Sequence, residues 1–245
     1  MNKSKRVNIS IIASVLIMAC ACPVSGLPSL TGDPTAPPVE IITTIPVPPE
    51  IQQDTQPANV LFSDDFSSPS AELEEFSDEN GSVGTKNGVY SVVSNVGLWN
   101  WGRTTTELSN ATAEFDVVMV SGPSSTNAGV GLYCRLSFGD DTSLNGYLLA
   151  ISLDGYYAIL DFQAGSPTAI VDWTYSDVVN QGSASNHIRA TCDGNTLELE
   201  VNGQVLATTV AGTTASGPLA FAAVSFDDIE PNVEAHFDNL VVSQP

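Results

Sequence analysis

From about Asn59 to the end, apolar and polar residues alternate in short runs separated by clusters of Gly, Asn, Asp and Ser. Period-two alternation bounded by turn residues predicts half-buried β-strands. "TAEFDVVMV" (112–120) and "AGVGLYCRLSF" (128–138) each read as one strand. "GYLLAISLDGYYAILDF" (146–162) reads as two strands about Asp154-Gly155. "NHIRATCDGNTLELEVNGQVLATTV" (186–210) reads as three, about Gly194-Asn195 and Asn202-Gly203. Asn87-Gly88 in "TKNGVYSVV" is a further hairpin signal, and 218–226 and 233–243 close the pattern. No stretch has convincing helical periodicity. About a dozen strands in one block predict an all-β, two-sheet antiparallel sandwich of jelly-roll type.

The turns also predict register. A two-residue turn at Gly194-Asn195 sets Cys192 against Leu197, Ala190 against Leu199 and Ile188 against Val201, all on one apolar face. Arg189 and Glu200 meet on the other. A two-residue turn at Asp154-Gly155 pairs Leu153, Ile151, Leu149 and Tyr147 with Tyr156, Ala158, Leu160 and Phe162. Strict alternation in 128–138 puts Val130, Leu132, Cys134 and Leu136 inward, and Tyr133 and Arg135 outward.

Ahead of this block the texture differs. Lys3, Lys5 and Arg6 precede an apolar run over 7–18 that ends in small residues, the pattern of a secretory signal. The run falls short of the roughly 20 residues a membrane span needs. Its end, Ile17-Met18-Ala19-Cys20, resembles the bacterial lipobox. That resemblance implies cleavage after residue 19 and a diacylglycerol on Cys20; the alternative is an ordinary signal peptide cut further on, discarding both Cys20 and Cys22. Residues 20–57 are rich in Pro and Thr, with nine prolines between 23 and 57 and no apolar periodicity. Such a spacer is extended, reaching on the order of 100 Å at about 3 Å per residue. The expected organisation is a signal peptide at 1–19, a flexible linker at 20–57 and a β-sandwich domain at 58–245.

Charge narrows the partners. The chain carries 28 Asp and Glu against seven Lys and Arg, a formal net charge of −21. Outside the signal segment only Lys86, Arg103, Arg135 and Arg189 remain basic. Such a surface repels phosphate backbones, which excludes nucleic acid, and repels anionic lipid headgroups, so membrane attachment would fall to the lipid. It is compatible with cations, neutral partners or a salt-adapted surface. Cys134 and Cys192, an even pair on two inward faces of an exported chain, are expected to form a disulfide, with two buried thiols as the alternative.

"GVGLYCR", "GYLLAISLDGYYAIL", "NHIRATCDGNTLELEVNG" and the closing "AHFDNLVV" together resemble bacterial concanavalin A-like lectin/glucanase domains. Laminin-G-like and 3-keto-disaccharide hydrolase-like modules are relatives of that group. The resemblance spans about Asn59 to Pro245 and implies fold; its members include sugar binders, adhesive modules, enzymes and spacers. Retaining glucanases of that fold carry Glu-x-Asp-x-x-Glu, two carboxylates flanking the scissile bond. Here Glu114 and Asp116 are followed by Met119 where the second Glu belongs, so the motif is incomplete and the glucanase chemistry is not expected from this strand. His187 and His236 stand in strands without motif context and read as structural.

Binding a sugar needs aromatic platforms beside polar groups. Trp99, Trp101 and Arg103 in "GLWNWGR" share one side of an extended segment, and Tyr133 and Arg135 share another. These five are the candidate ligand-contacting residues; the competing reading packs the tryptophans in the core. Trp173 reads as core or edge packing. The acidic side chains make structural calcium the cofactor the sequence suggests, with Asp64, Asp65 and Asp238 as ligands if the first and last strands pair, or Asp140-Asp141 in a loop. The expected partner is a glycan or envelope polymer at the cell surface, bound without catalysis. A saccharide-acting enzyme and a ligand-free envelope module are the alternatives.

Overall fold

The computed structural model describes residues 59–95, 99–122, 128–140, 143–212, 215–226 and 232–245. The expected signal peptide and linker, with Cys20 and Cys22, and Asp141 lie outside the described residues. All described elements are strands. A nine-stranded sheet is built from β1 (Val60–Asp64), β2 (Phe76–Asp78), β3 (Gly81–Lys86), β4 (Val89–Ser94), β6 (Ala111–Ser121), β11 (Asn186–Asp193), β12 (Thr196–Val201), β13 (Gln204–Val210) and β15 (Val233–Ser243). A six-stranded sheet is built from β5 (Trp99–Leu108), β7 (Ala128–Phe138), β8 (Leu144–Ser152), β9 (Tyr156–Gln163), β10 (Ser166–Tyr175) and β14 (Gly217–Ser225). In spatial order the first runs β13-β12-β11-β6-β15-β4-β3-β2, with β1 beside β15, and the second runs β10-β9-β8-β7-β14-β5. Every strand pairing is antiparallel.

The turns follow from their residues. Asn87-Gly88 and Asn202-Gly203 both hold positive φ at both positions (54° and 80°, 51° and 81°). That is the backbone a two-residue type I′ hairpin demands and Asn-Gly supplies. The β11–β12 register is the one expected, Cys192 opposite Leu197 and Ile188 opposite Val201.

The β8–β9 hairpin differs. Ile151 faces Tyr157, Leu149 faces Ile159 and Leu148 faces Leu160, a slip of one residue from the expected pairing. The connection holds three residues, 153–155, with Gly155 at φ 93° and the Ser152 hydroxyl accepting from the Tyr156 N–H. Both faces of this hairpin are apolar, so a slip exposes nothing and the pattern could not choose the register.

Between the sheets lies the main core, centred on Phe115, Phe221 and Phe237, whose rings pack at 5.2–5.6 Å. The six-stranded sheet also carries a second apolar cluster on its outer face: Tyr133, Leu136, Leu144, Leu148, Ala150, Ala158, Leu160, Phe162, Ala220 and Ala222. Cys134 of β7 and Cys192 of β11 are disulfide-bonded, with Cα atoms 6.6 Å apart, tying one sheet to the other.

β7 departs from alternation after the cysteine. Cys134 pairs with Tyr147 but Ser137 pairs with Asn145, so one extra residue bulges, and Arg135 takes φ 56° there. A bulge inverts the facing of the residues beyond it. Leu136 therefore joins Tyr133 in the outer cluster, contrary to the expected inward placement beside Cys134. Arg135 is buried and donates from Nε to the Ser109 carbonyl (3.2 Å) and from Nη2 to the Gly194 carbonyl.

Candidate aromatic groove

β5 is one of the two edge strands of the six-stranded sheet. Asn100, Gly102 and Thr104 point into the sandwich, while Trp99, Trp101 and Arg103 point outward together and are half-buried. Gly102 is needed because a Cβ there would lie 1.8 Å from the Tyr90 hydroxyl, which donates to the Glu74 carbonyl (2.7 Å). The chain before β2 runs along this edge: Glu74 N–H donates to the Arg103 carbonyl (3.0 Å) and Thr105 N–H to the Glu72 carbonyl (2.8 Å). Glu74 is thus set against Arg103.

Between β5 and this segment opens a groove of about 270 Å³, lined by Glu74, Phe76, Asp78, Asn80, Trp99, Asn100, Trp101, Arg103 and Phe138. Its volume sits near the small end of ligand sites, about 300 Å³, which suits a short stretch of a longer chain. Trp99 packs edge-on against Phe162 (5.6 Å) and Phe226 (5.5 Å), and Trp101 lies by Tyr133 (6.1 Å) and Phe138 (6.4 Å). The tryptophans are therefore not in the core between the sheets: they cover the second apolar cluster on the outer face and line the groove. Phe76 and Phe138 are 37% and 43% exposed, so the groove offers open aromatic surface.

The groove's cation is committed. Arg103 Nε donates to both Glu74 oxygens (2.9 and 3.1 Å), its Nη2 donates to Oε1, and the guanidinium lies 5.4 Å from the Phe138 ring centre. The hydrogen bonds from Arg103 to Glu74 raise the Arg103 pKa above its ordinary value. Asp78 accepts from the Asn80 N–H (2.8 Å), and Asn100 donates to the Val93 carbonyl (2.7 Å).

Two expected ligand contacts need correcting. Tyr133 and Arg135 do not share an exposed face; they are 0% and 3% exposed. Tyr133 lies beneath Trp101 and Phe162, its hydroxyl without a hydrogen-bond partner among the described residues and its pKa pushed up by burial. Arg135 is turned by the bulge toward the two end turns.

The calcium ligands do not converge. Asp64 and Asp65 turn their carboxylates onto the backbone N–H groups of Phe66 (2.8 Å) and Ser67 (3.0 Å). The Ser67 backbone bond holds Asp65 below its ordinary pKa. β1 does pair with β15, Asp64 facing Leu240, but Asp238 faces Asp116 instead. No three acidic, His or Cys groups converge on a common point among the described residues. The larger cleft of about 600 Å³ beside Asp64, Asp65 and Asn239 has no aromatic wall among the described residues.

Glu114 and Asp116 stand on the outer face of the nine-stranded sheet, in a different sheet from β5, and Met119 points into the core. Glu114 pairs with Arg189 (3.1 Å); Asp116 bonds His187 Nδ1 (2.9 Å) and accepts from Asn239 (2.8 Å). His236 Nε2 lies 2.8 Å from Glu234. Trp173, on edge strand β10, is 36% exposed, with its ring 6.2 Å from Phe226.

Sequence reasoning missed Glu74, Phe76, Asp78, Asn80, Asn100 and Phe138. β2 is only three residues long, too short for periodicity to register, and its "AELEEFSDEN" context reads as loop.

No protein-family model matches the sequence, and no curated protein is similar to it in sequence. Solved structures do match in fold. The β-glucanase of Bacillus licheniformis superposes with TM-score 0.55 at 11% identity, covering 78% of this chain and 100% of that one. The catalytic domain of an endo-1,3-β-glucanase (laminarinase) from Thermotoga petrophila gives 0.54 at 10%, covering 76% and 98%. The carbohydrate-binding module CBM66 from Bacillus subtilis gives 0.50 at 14%, covering 72% and 94%. The sandwich domain of this chain accordingly has the concanavalin A-like jelly-roll fold that these proteins share.

Proposed function

We propose that this is an exported, lipid-anchored surface protein whose sandwich domain binds a glycan without chemical turnover, through the groove beside Trp99 and Trp101. The observation that carries the reading is the pairing of open aromatic surface with convergent polar groups: Trp99, Trp101, Phe76 and Phe138 beside Asp78, Asn80 and Glu74. Aromatic faces take the CH surface of a sugar ring, and the polar side chains take its hydroxyls. The two groove carboxylates are already held, Glu74 by Arg103 and Asp78 by the Asn80 backbone, which suits binding rather than proton transfer. Similarity of fold to a carbohydrate-binding module and to glucanases supports the same class of ligand. Anchoring rests on the lipobox-like Ile17-Met18-Ala19-Cys20, and the Pro-rich spacer would hold the domain off the membrane.

A glycan-array screen of residues 58–245 tests the binding. At least one glycan should bind, and Trp101→Ala should weaken it about tenfold, the equivalent of ~1.4 kcal/mol. No binding across a broad array would sink the reading. Mass spectrometry of the mature N-terminus tests the anchor: a diacylated Cys20 is expected, and an unmodified start beyond Cys22 overturns it.

A further inference from the structure

The charge around the groove points to the kind of glycan, and this step rests on the reading above. All four Lys and Arg residues of 58–245 are engaged. Arg103 is clamped by Glu74, and Arg189 lies between Glu114 (3.1 Å) and Glu200 (3.7 Å). Arg135 is buried on the Ser109 and Gly194 carbonyls, and Lys86 reaches Glu234 at 3.6 Å. Both histidines lie against carboxylates, His187 on Asp116 and His236 on Glu234. Lys86, the most open at 62% side-chain exposure, does not line the groove.

The segment forming the groove's outer wall carries the opposite bias. Between 72 and 79 stand Glu72, Glu74, Glu75, Asp78 and Glu79, opposed by Arg103 alone. Receiving a uronate or sulfate here would require an unpaired cation, or would break the bidentate Arg103–Glu74 pair and leave Glu74 without it. A protonated amine meets the reverse situation: a negative potential set by neighbouring carboxylates and aromatic faces that attract cations.

We propose that the groove selects polysaccharides bearing free, protonated amino groups, of the glucosamine type, and rejects uronic-acid and sulfated polymers. The discriminating feature is the Asp78 carboxylate in the groove, backed by the net-negative 72–79 segment and set beside Trp99, Trp101, Phe76 and Phe138.

Tryptophan-fluorescence titration of the full chain with three probes decides it: a glucosamine hexamer, the N-acetylglucosamine hexamer with the same backbone but no charge, and an oligouronate of matched length. At pH 6 and about 20 mM salt, the glucosamine hexamer should bind at least about tenfold tighter than the N-acetyl form, and the oligouronate should not bind. Raising salt to about 0.5 M should shrink that advantage, because the screening length falls well below the size of the groove. Asp78→Asn should do the same at low salt. Equal or weaker binding of the glucosamine hexamer overturns the charge preference, as does oligouronate binding as tight as the N-acetyl form. Failure of all three probes also overturns it, and leaves the general glycan reading to the array.

Discussion

Gly102 is the smallest residue on which the groove depends. It sits between Trp101 and Arg103, and the space a methyl would need is filled by the Tyr90 hydroxyl. That hydroxyl holds the Glu74 carbonyl, and Glu74 holds Arg103, so one hydrogen atom in place of a side chain lets core, wall and cation meet. Gly102→Ala should cost roughly 1–3 kcal/mol of folding stability, as overpacked sites do, measured by urea unfolding. Pairing it with Tyr90→Phe should recover part of that loss, a coupling a double-mutant cycle would read. An additive pair would show that the two side chains do not compete for the same space. Tyr133 is legible as a β7 outward residue, but its burial is not, because the rings that cover it come from β5 and β9. Trp99 and Trp101 are legible as a pair because their spacing needs only an extended chain. Their polar companions are not, because Glu74 and Asp78 reach the site through a neighbouring segment with no strand pattern.

At the scale of elements, β7 shows where alternation stops being informative. A single extra residue at Arg135 sends Leu136 to one side of the sheet and Arg135 to the other. Nothing in "CRLSF" marks it, since a bulge with a left-handed non-glycine residue has no compositional signature as strong as Asn-Gly. The Asn87-Gly88, Gly194-Asn195 and Asn202-Gly203 turns are readable because local backbone chemistry dictates them. The β8–β9 register is not, because both faces are buried and either choice satisfies the pattern. The disulfide lies immediately before the bulge and draws β7 and β11 together across the sandwich, while Arg135 holds the β11–β12 turn nearby. It closes a sequence separation of 58 residues. Replacing Cys134 and Cys192 together by alanine should lower stability by about 2–4 kcal/mol, with chain entropy as the main source. Equilibrium unfolding of the double variant against the oxidised protein measures this; an unchanged midpoint would mean the bond does not form in solution.

For the whole molecule, the scarcity of basic residues has an effect beyond ligand choice. Between Arg6 and Lys86 the sequence has no Lys or Arg at all, and after that only Arg103, Arg135 and Arg189. Proteases of trypsin specificity therefore have four bonds to cut after Arg6. Each of those residues lies within a strand, in β3, β5, β7 and β11, where cleavage requires local opening of the sheet. Digestion of the folded, oxidised mature protein by trypsin should leave residues 20–245 whole for hours, apart from slow nicking after Lys86 beside its exposed hairpin. If 20–57 is the extended linker its composition predicts, an enzyme that cuts after aliphatic residues should trim it within minutes. Gel electrophoresis of the two time courses reads the difference, and fast tryptic cleavage inside 59–245 would contradict it. The same economy of positive charge on which the groove's proposed selectivity rests would also make the domain a poor substrate for endopeptidases that cut after Lys or Arg.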